Sequence, residues 1–248
     1  MVKRIFALAA GAALLSSTAM AQINWTEDFE SYANTAAVEA VWTASQTGVI
    51  TLTTLAGDGA QGGNKYMSVP SATAGTLSRV IGQTGFVGDA SPVVLTAYVR
   101  AADYTNSRVG LSMRDAALGT AFYAHIGTSN GLVQPGNVAA GNKWASRIFG
   151  YSGLPSGNYW GYFNSANRVT GAWVKLELIC GRTTVKAEFD DVNTPADDIT
   201  GLVSTGTAVG SCRISYGSSP NVNYDIDNIS IVGGSAVAAV SDWNMIID

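Results

Sequence analysis

The run Val174-Lys175-Leu176-Glu177-Leu178-Ile179-Cys180 and, beyond Gly181-Arg182, the run Val185-Lys186-Ala187-Glu188-Phe189-Asp190 decide the fold. In the first, Val174, Leu176, Leu178 and Cys180 share one parity while Lys175 and Glu177 take the other. In the second, Val185, Ala187 and Phe189 oppose Lys186, Glu188 and Asp190. A period of two is the mark of a strand with one buried face. Two such runs joined at a Gly turn read as a hairpin.

The same alternation recurs outward in both directions. Val93, Leu95, Ala97 and Val99 alternate with Val94, Thr96, Tyr98 and Arg100. Further strands are expected at 49–55, 65–69, 76–80, 107–114, 120–126, 145–149, 212–216 and 224–232. Gly57-Asp58-Gly59, Gly62-Gly63-Asn64 and Gly217-Ser218-Ser219-Pro220 supply chain reversals between them. Only Thr35 to Trp42 reads as helical, for a turn or two. Ten or more short strands with turn signals between them predict an all-β, two-sheet antiparallel sandwich. The run from Tyr224 changes phase: Tyr224 and Ile226 lie on one parity, Ile229 and Ile231 on the other. A β-bulge at Asp227-Asn228 returns both pairs to the core and re-aims Asp227.

Composition agrees. Charged residues make up 13% of the chain, and small residues abound, with 28 Gly among 248 positions. Lys3 and Arg4, the apolar stretch Ile5 to Leu15 and the small residues Ala19-Met20-Ala21 read as a secretory signal over residues 1–21, cleaved before Gln22. That places the product outside the cytoplasm, secreted or periplasmic. The apolar stretch is shorter than the roughly 20 residues that span a bilayer, and no transmembrane anchor is expected. Loss of Lys3 and Arg4 moves the net charge from -4 to -6, which disfavours nucleic acid and anionic lipid. Residues 22–232 form one expected domain, and 233–248 a small-residue tail ending in Trp243, Met245, Ile246 and Ile247. Cys180 and Cys212 are the two cysteines, and in an oxidising compartment they suggest a disulfide. Two buried thiols are the alternative.

Three segments resemble the concanavalin-A-like, laminin-G-like jelly roll of secreted bacterial proteins and carbohydrate-binding modules. They are Glu27-Asp28-Phe29-Glu30-Ser31-Tyr32, the stretch from Arg168 through Trp173 to Phe189-Asp190-Asp191-Val192, and Tyr224-Asp225-Ile226-Asp227-Asn228-Ile229. Val174 departs from relatives that carry His after the Trp. The resemblance implies a jelly roll, and a structural Ca²⁺ joining the opening segment to the closing strand, with Asp28, Glu30 and Asp227 at the matching positions. Hard carboxylate and carbonyl oxygens suit that ion. Otherwise Asp28 and Glu30 are surface residues of a first strand and Asp227 caps its bulge.

Catalytic residues do not emerge. Glycoside hydrolysis needs a pair of carboxylates, yet no Glu-x-Asp-x-x-Glu run occurs and His125 is the sole histidine. Asp190-Asp191 and Asp197-Asp198 read as turn acids. Among Gly150, Gly153, Pro155, Gly157 and Gly161 stand Tyr151, Tyr159, Trp160 and Tyr162, whose rings suit sugar stacking or, alternatively, the packing of a hairpin. The expected function is a secreted, non-catalytic carbohydrate-binding module. A structural or adhesive envelope protein is the alternative, and a polysaccharide lyase or hydrolase is third.

Overall fold

The computed structural model describes residues 22–45, 50–69, 75–101, 109–119, 123–128, 144–149, 151–152, 159–162, 171–190, 192–193, 203–204, 206–216 and 223–235. The signal at 1–21, the Gly217–Pro220 turn, Asp191, Asp197, Asp198 and the tail beyond Ser235 lie outside them.

In chain order the elements are β1 (Ile23–Glu27), α1 (Thr35–Glu39), β2 (Thr43–Ala44), β3 (Thr51–Thr54), β4 (Lys65–Val69), β5 (Gly75–Gly85) and β6 (Val93–Ala101). Then come β7 (Val109–Asp115), β8 (Tyr123–Thr128), β9 (Trp144–Phe149), β10 (Tyr151–Ser152), β11 (Tyr159–Tyr162) and β12 (Val174–Cys180). The last are β13 (Val185–Phe189), β14 (Val192–Asn193), β15 (Val203–Ser204), β16 (Val209–Tyr216) and β17 (Tyr224–Gly233). Among the described residues two antiparallel sheets face each other as a jelly-roll sandwich. The first runs β14-β13-β12-β6-β17-β4-β3 with β1 also on β17; the second runs β11-β9-β8-β7-β16-β5-β2. A ribbon of β10 and β15 stands apart.

The founding hairpin is β12–β13, with Leu178 opposite Ala187 and Cys180 opposite Val185. On its other side β12 meets β6, Leu176 against Ala97 and Leu178 against Leu95. Their inward side chains are fully buried in one core that both sheets share. Helix α1 is short because only Val38 reaches that core. Asn34 caps it by accepting from the Ala37 N–H at 3.0 Å.

The bulge in β17 stands where the sequence places it. Asp227 pairs with Tyr98 and Ser230 with Thr96, so β17 carries one extra residue there. Asn228 absorbs the distortion at φ +46°, in the left-handed region that Asn tolerates. Ile226, Ile229 and Ile231 are all buried as a result. The bulge also marks a change of partner. On the edge away from β6, Tyr224 to Ile226 pair with β4, whereas Ile229 to Gly233 pair with β1. β17 runs one residue past Val232, and Ser235 bridges to Phe86 through bonds of 2.8 and 2.9 Å.

The two sheets are tied by a buried ion pair between Glu27 of β1 and Arg79 of β5. Glu27 Oε2 also accepts from the Tyr32 hydroxyl at 2.7 Å and Trp42 Nε1 at 3.3 Å, and Oε1 accepts from the Phe29 N–H at 3.1 Å. The guanidinium lies over the rings of Trp25 and Trp42, 5.3 and 5.9 Å from their centroids. Burial and the neighbouring Glu27 push the Tyr32 hydroxyl up to about 12.

The expected disulfide is absent: Cys180 and Cys212 are two buried, unbridged thiols. Cys180 ends β12, which packs on β8, while Cys212 sits in β16, two strands further along the second sheet. Strands lie about 4.8 Å apart and facing sheets about 10 Å, so the two Cα atoms exceed the roughly 7 Å that a bridge tolerates. Burial pushes the Cys212 thiol up to about 12, which removes thiolate and reactivity. Unreduced protein in denaturant should therefore titrate two thiols, and the native protein should react with a thiol reagent only as fast as it opens. A titre of zero without reductant would restore the bridge.

Candidate functional site

Where β17 leaves β4 for β1, the sheet edge has a gap, and the chain fills it with the loop 55–64 and the segment 28–32. Asp227, turned outward by the bulge, receives the Ala60 N–H on Oδ2 at 2.8 Å and the Asn228 N–H on Oδ1 at 2.7 Å. Asn228 Nδ2 returns a bond to the Ala60 carbonyl at 3.0 Å. From the other side Glu30 Oε1 accepts from the backbone of Asn64 at 2.5 Å and of Lys65 at 2.8 Å. The approach is so close that a Cβ at Gly63 would stand 2.8 Å from Glu30 Oε1, and one at Gly59 would stand 2.7 Å from the Gly63 carbonyl carbon. Gly59, which would meet backbone, therefore requires glycine, whereas a Cβ at Gly63 would push the Glu30 carboxylate off its two backbone donors.

Glu30 and Asp227 thus meet around one loop, as the resemblance implies. Asp28 does not join them as a third inward ligand: it is exposed, and its Oδ1 accepts from the Glu30 N–H at 3.1 Å. Among the described residues no group of three His, Cys, Asp or Glu side chains is placed to hold a metal ion. The oxygens that do share the space beside Gly63 are Glu30 Oε1, Asp227 Oδ2 and the Ala60 carbonyl. Asp227 is 1% exposed. Burial, with a further push from Glu30 and Asp28, raises its carboxyl to about 7 against the pull of the two backbone N–H groups.

A cationic clamp holds the same loop down. Arg100 of β6 grips Asp58 with two bonds of 2.8 and 2.9 Å and donates through Nε to Asp225 at 2.9 Å. Its guanidinium lies 4.9 and 4.5 Å from the Tyr66 and Trp173 ring centroids, in the corner the two rings make by meeting edge to face at 5.6 Å. Trp173 Nε1 donates to the Asp58 carbonyl at 2.9 Å, so the tryptophan singled out by the resemblance is a loop anchor. The Arg100 guanidinium, aided by the Tyr66 hydroxyl, holds Asp58 below the usual carboxylate range.

The pinned loop forms one wall of a groove of about 440 Å³ on the outer face of the first sheet. Its floor is the outward row of β6 and β12, namely Thr96, Tyr98, Lys175 and Glu177, and Asp28, Gln61, Asn228 and Ser230 close its sides. Gln61 Nε2 donates to the Tyr98 hydroxyl, and Thr96 Oγ1 donates to Glu177 Oε2 at 3.1 Å. Lys175 lies 3.4 Å from the same Glu177 oxygen. Sequence reading passed over these four floor residues as the solvated half of two alternating strands. The one available signal was Tyr98, an aromatic at an outward position.

The aromatic residues expected to bind lie elsewhere. Tyr151 is in β10 opposite Ser204, and Tyr159, Trp160 and Tyr162 are in β11, the rim strand of the second sheet. Asp190 is a turn residue at φ +47° whose Oδ1 accepts from the Lys175 N–H at 2.9 Å.

No protein-family model matches the chain, and no curated protein matches it in sequence. Solved structures do. A sialidase superposes on 84% of this chain with a TM-score of 0.50 at 10% identity, and this chain spans 18% of the sialidase's length. The Crh5 transglycosylase, solved with NAG, superposes on 87% of this chain and 85% of its own with a TM-score of 0.50 at 12% identity. The carbohydrate-binding module CBM66 of Bacillus subtilis covers 77% of this chain with a TM-score of 0.44 at 11% identity. At such identities the likeness is one of fold, and a shared fold carries no function by itself.

Asp227 gives the site a pH signature. Its carboxyl titrates near 7 when folded and near 3.9 when unfolded. Between these values the folded state binds the extra proton, so its contribution is full below about pH 4 and is lost as pH rises to about 7. In chelator, Asp227→Asn should flatten that part of the stability-pH curve. A curve of unchanged slope would show that Asp227 ionises freely.

Proposed function

We propose that this chain is an exported, non-catalytic carbohydrate-binding module that seats a glycan across the outer face of its first sheet. The observation that carries the reading is the groove itself. It is concave, open and predominantly polar, and its hydrogen-bonding groups are already held in place by Gln61 on Tyr98 and by Thr96 and Lys175 on Glu177. Pre-positioned polar groups spare a ligand the entropy of ordering them, and the Tyr98 ring supplies an apolar surface for the face of a sugar. Hydrolysis would need a free acid and base flanking the bond. Among the described carboxylates of the groove, Glu177 is engaged by Lys175 and Thr96, Glu27 by Arg79, Tyr32 and Trp42, and Asp28 accepts from the Glu30 N–H. Export rests on residues 1–21, and no helix among the described residues is long and apolar enough to cross a membrane.

A glycan array on the mature protein tests the reading. Discrete hits are expected, and Tyr98→Ala should weaken them at least tenfold, about 1.4 kcal/mol, with stability held within about 0.5 kcal/mol as for other surface changes. Silence across the array, or hits indifferent to Tyr98, would end it.

A structural Ca²⁺ belongs to the same proposal, held by Glu30, Asp227 and the Ala60 carbonyl beside Asp28. An ion there would offset the charge that Asp227 otherwise carries in a buried place. An ion that binds only the folded state stabilises by mass action. Added Ca²⁺ should raise the melting temperature, more at pH 8 than at pH 5, and Asp227→Ala should abolish the rise. Identical melts in Ca²⁺ and in excess chelator would remove the metal.

A further inference from the structure

The loop that walls the groove contains a turn in which one residue is at odds with the backbone. The Gly63 N–H donates to the Ala60 carbonyl at 3.1 Å, and the two residues between them, Gln61 at φ +54°, ψ +27° and Gly62 at φ +83°, both lie in the left-handed region. That is a type I′ turn, in which Gly, Asn and Asp dominate because other side chains are strained at positive φ. Gly62 satisfies the rule and Gln61 breaks it. The loop carries glycine at 57, 59, 62 and 63, yet not at this position.

The surroundings hold the turn in that shape. Asp227 and Asn228 fix Ala60 by its N–H and its carbonyl, Arg100 and Trp173 fix Asp58, and Glu30 fixes Asn64. A strained residue persists only where its surroundings determine it this fully, and such residues cluster at functional sites. The side chain shows what the strain achieves. Gln61 is exposed, and it reaches over the groove to donate from Nε2 to the Tyr98 hydroxyl. A single exposed hydrogen bond contributes little to folding, so stability alone does not account for a glutamine here. Asn suits the turn better, but its amide stands one methylene closer to the backbone.

The same bond decides what the groove offers. A phenol that accepts from an amide keeps its own proton to donate, and an amide that donates through nitrogen keeps its carbonyl oxygen to accept. Among the described residues neither the Tyr98 hydroxyl proton nor Gln61 Oε1 has a partner. A donor and an acceptor thus stand side by side at the edge of an aromatic ring. Two neighbouring hydroxyls of a sugar, one accepting and one donating, match that pair while the ring covers the apolar face of the sugar.

On the reading of the groove as a glycan site, we propose that Gln61 is its specificity-determining residue. It holds the Tyr98 hydroxyl as a donor, adds its own carbonyl oxygen as the acceptor, and so selects glycans that carry two adjacent free hydroxyls. The strained turn exists to bring a side chain of this length and chemistry over Tyr98.

The test is binding of a glucan, a galactomannan and a xylan, each with free and with O-acetylated hydroxyls, to the mature protein and to Gln61→Asn, Gln61→Glu and Tyr98→Ala, with thermal melts alongside. Gln61→Asn relieves the turn, so it should melt at or above the wild-type temperature while binding falls at least tenfold. Glu keeps the length but only accepts, so it takes the Tyr98 proton away from the ligand, and Gln61→Glu should lose binding to the same extent. Acetylation of the best-bound glycan should also weaken binding to the wild type at least tenfold. Binding that Tyr98→Ala weakens and either Gln61 variant retains in full would overturn the assignment and leave the groove standing. A lower melting temperature in Gln61→Asn, or equal binding of acetylated glycan, would overturn it too. Absence of binding by every glycan would end the groove reading and this assignment with it.

Discussion

One strand has two partners on the same edge, and the architecture around the first sheet follows from that constraint. β17 pairs with β4 along its first half and with β1 along its second. The join needs a bulge, because without the extra residue Ile229 and Ile231 would face away from the core that Tyr224 and Ile226 occupy. The bulge turns Asp227 out of the ladder at the one place where the edge lacks a strand, and its carboxylate captures the Ala60 N–H of the loop that plugs the gap. Arg100, two residues from the Asp227 partner Tyr98 on β6, fastens the other shoulder of that loop through Asp58. The groove wall is thus a consequence of core packing. The phase change that buries four apolar side chains is also what positions Gln61 over Tyr98.

The pairing of Glu27 with Arg79 does for the two sheets what the bulge does for one. Buried ion pairs rarely add net stability, because desolvation offsets the attraction. This one is compensated by surrounding donors. Glu27 takes bonds from a guanidinium, a phenol, an indole and a backbone N–H, while the arginine rests on two tryptophan rings. Its directional bonds specify which edge of β1 lies over β5, a register that apolar contacts alone leave loose. Phe29, at φ +59°, bends the chain immediately afterwards and sends Glu30 toward the loop. Sheet pairing and loop capture are therefore linked within four consecutive residues, Glu27 to Glu30.

Much of the first sheet was legible because alternation reports burial directly. β4 and β12 fall on the expected residues, β6 and β17 within one, and the bulge was readable from a parity break alone. β1 was not, since Asn24, Thr26 and the buried Glu27 do not look like a strand with an apolar face. The extension of β5 to Gly85 was hidden by Gly82 and Gln83, which carry no alternating signal. Cys180 and Cys212 misled because inward parity tells which face a residue takes and says nothing about which strand lies opposite. The groove was illegible for a related reason: Thr96, Tyr98, Lys175 and Glu177 are distant in sequence and become neighbours only through the register of β6 with β12. Glu30 and Asp227 were singled out through the resemblance, whereas their convergence on Gly63 depends on a loop conformation that no periodicity encodes.

The same alternation that builds the core also makes two unlike surfaces. On the first sheet the outward positions mix signs within each strand, so Lys175 and Glu177, or Arg100 and Asp225, neutralise one another locally. On the second sheet Arg213 donates instead to neutral oxygens, Ser78 Oγ at 2.8 Å and the Leu118 carbonyl at 3.3 Å. Of the described acids, Asp58, Glu177 and Asp225 stand on the first sheet and its loops, and Asp115, at the end of β7, is satisfied by the N–H groups of Ala117 and Gly119. Segregation of this kind leaves the fold indifferent, since outward residues contribute little to the core. It matters to a ligand that approaches along one face. The hydrogen-bonding groove suits an uncharged chain of hydroxyls.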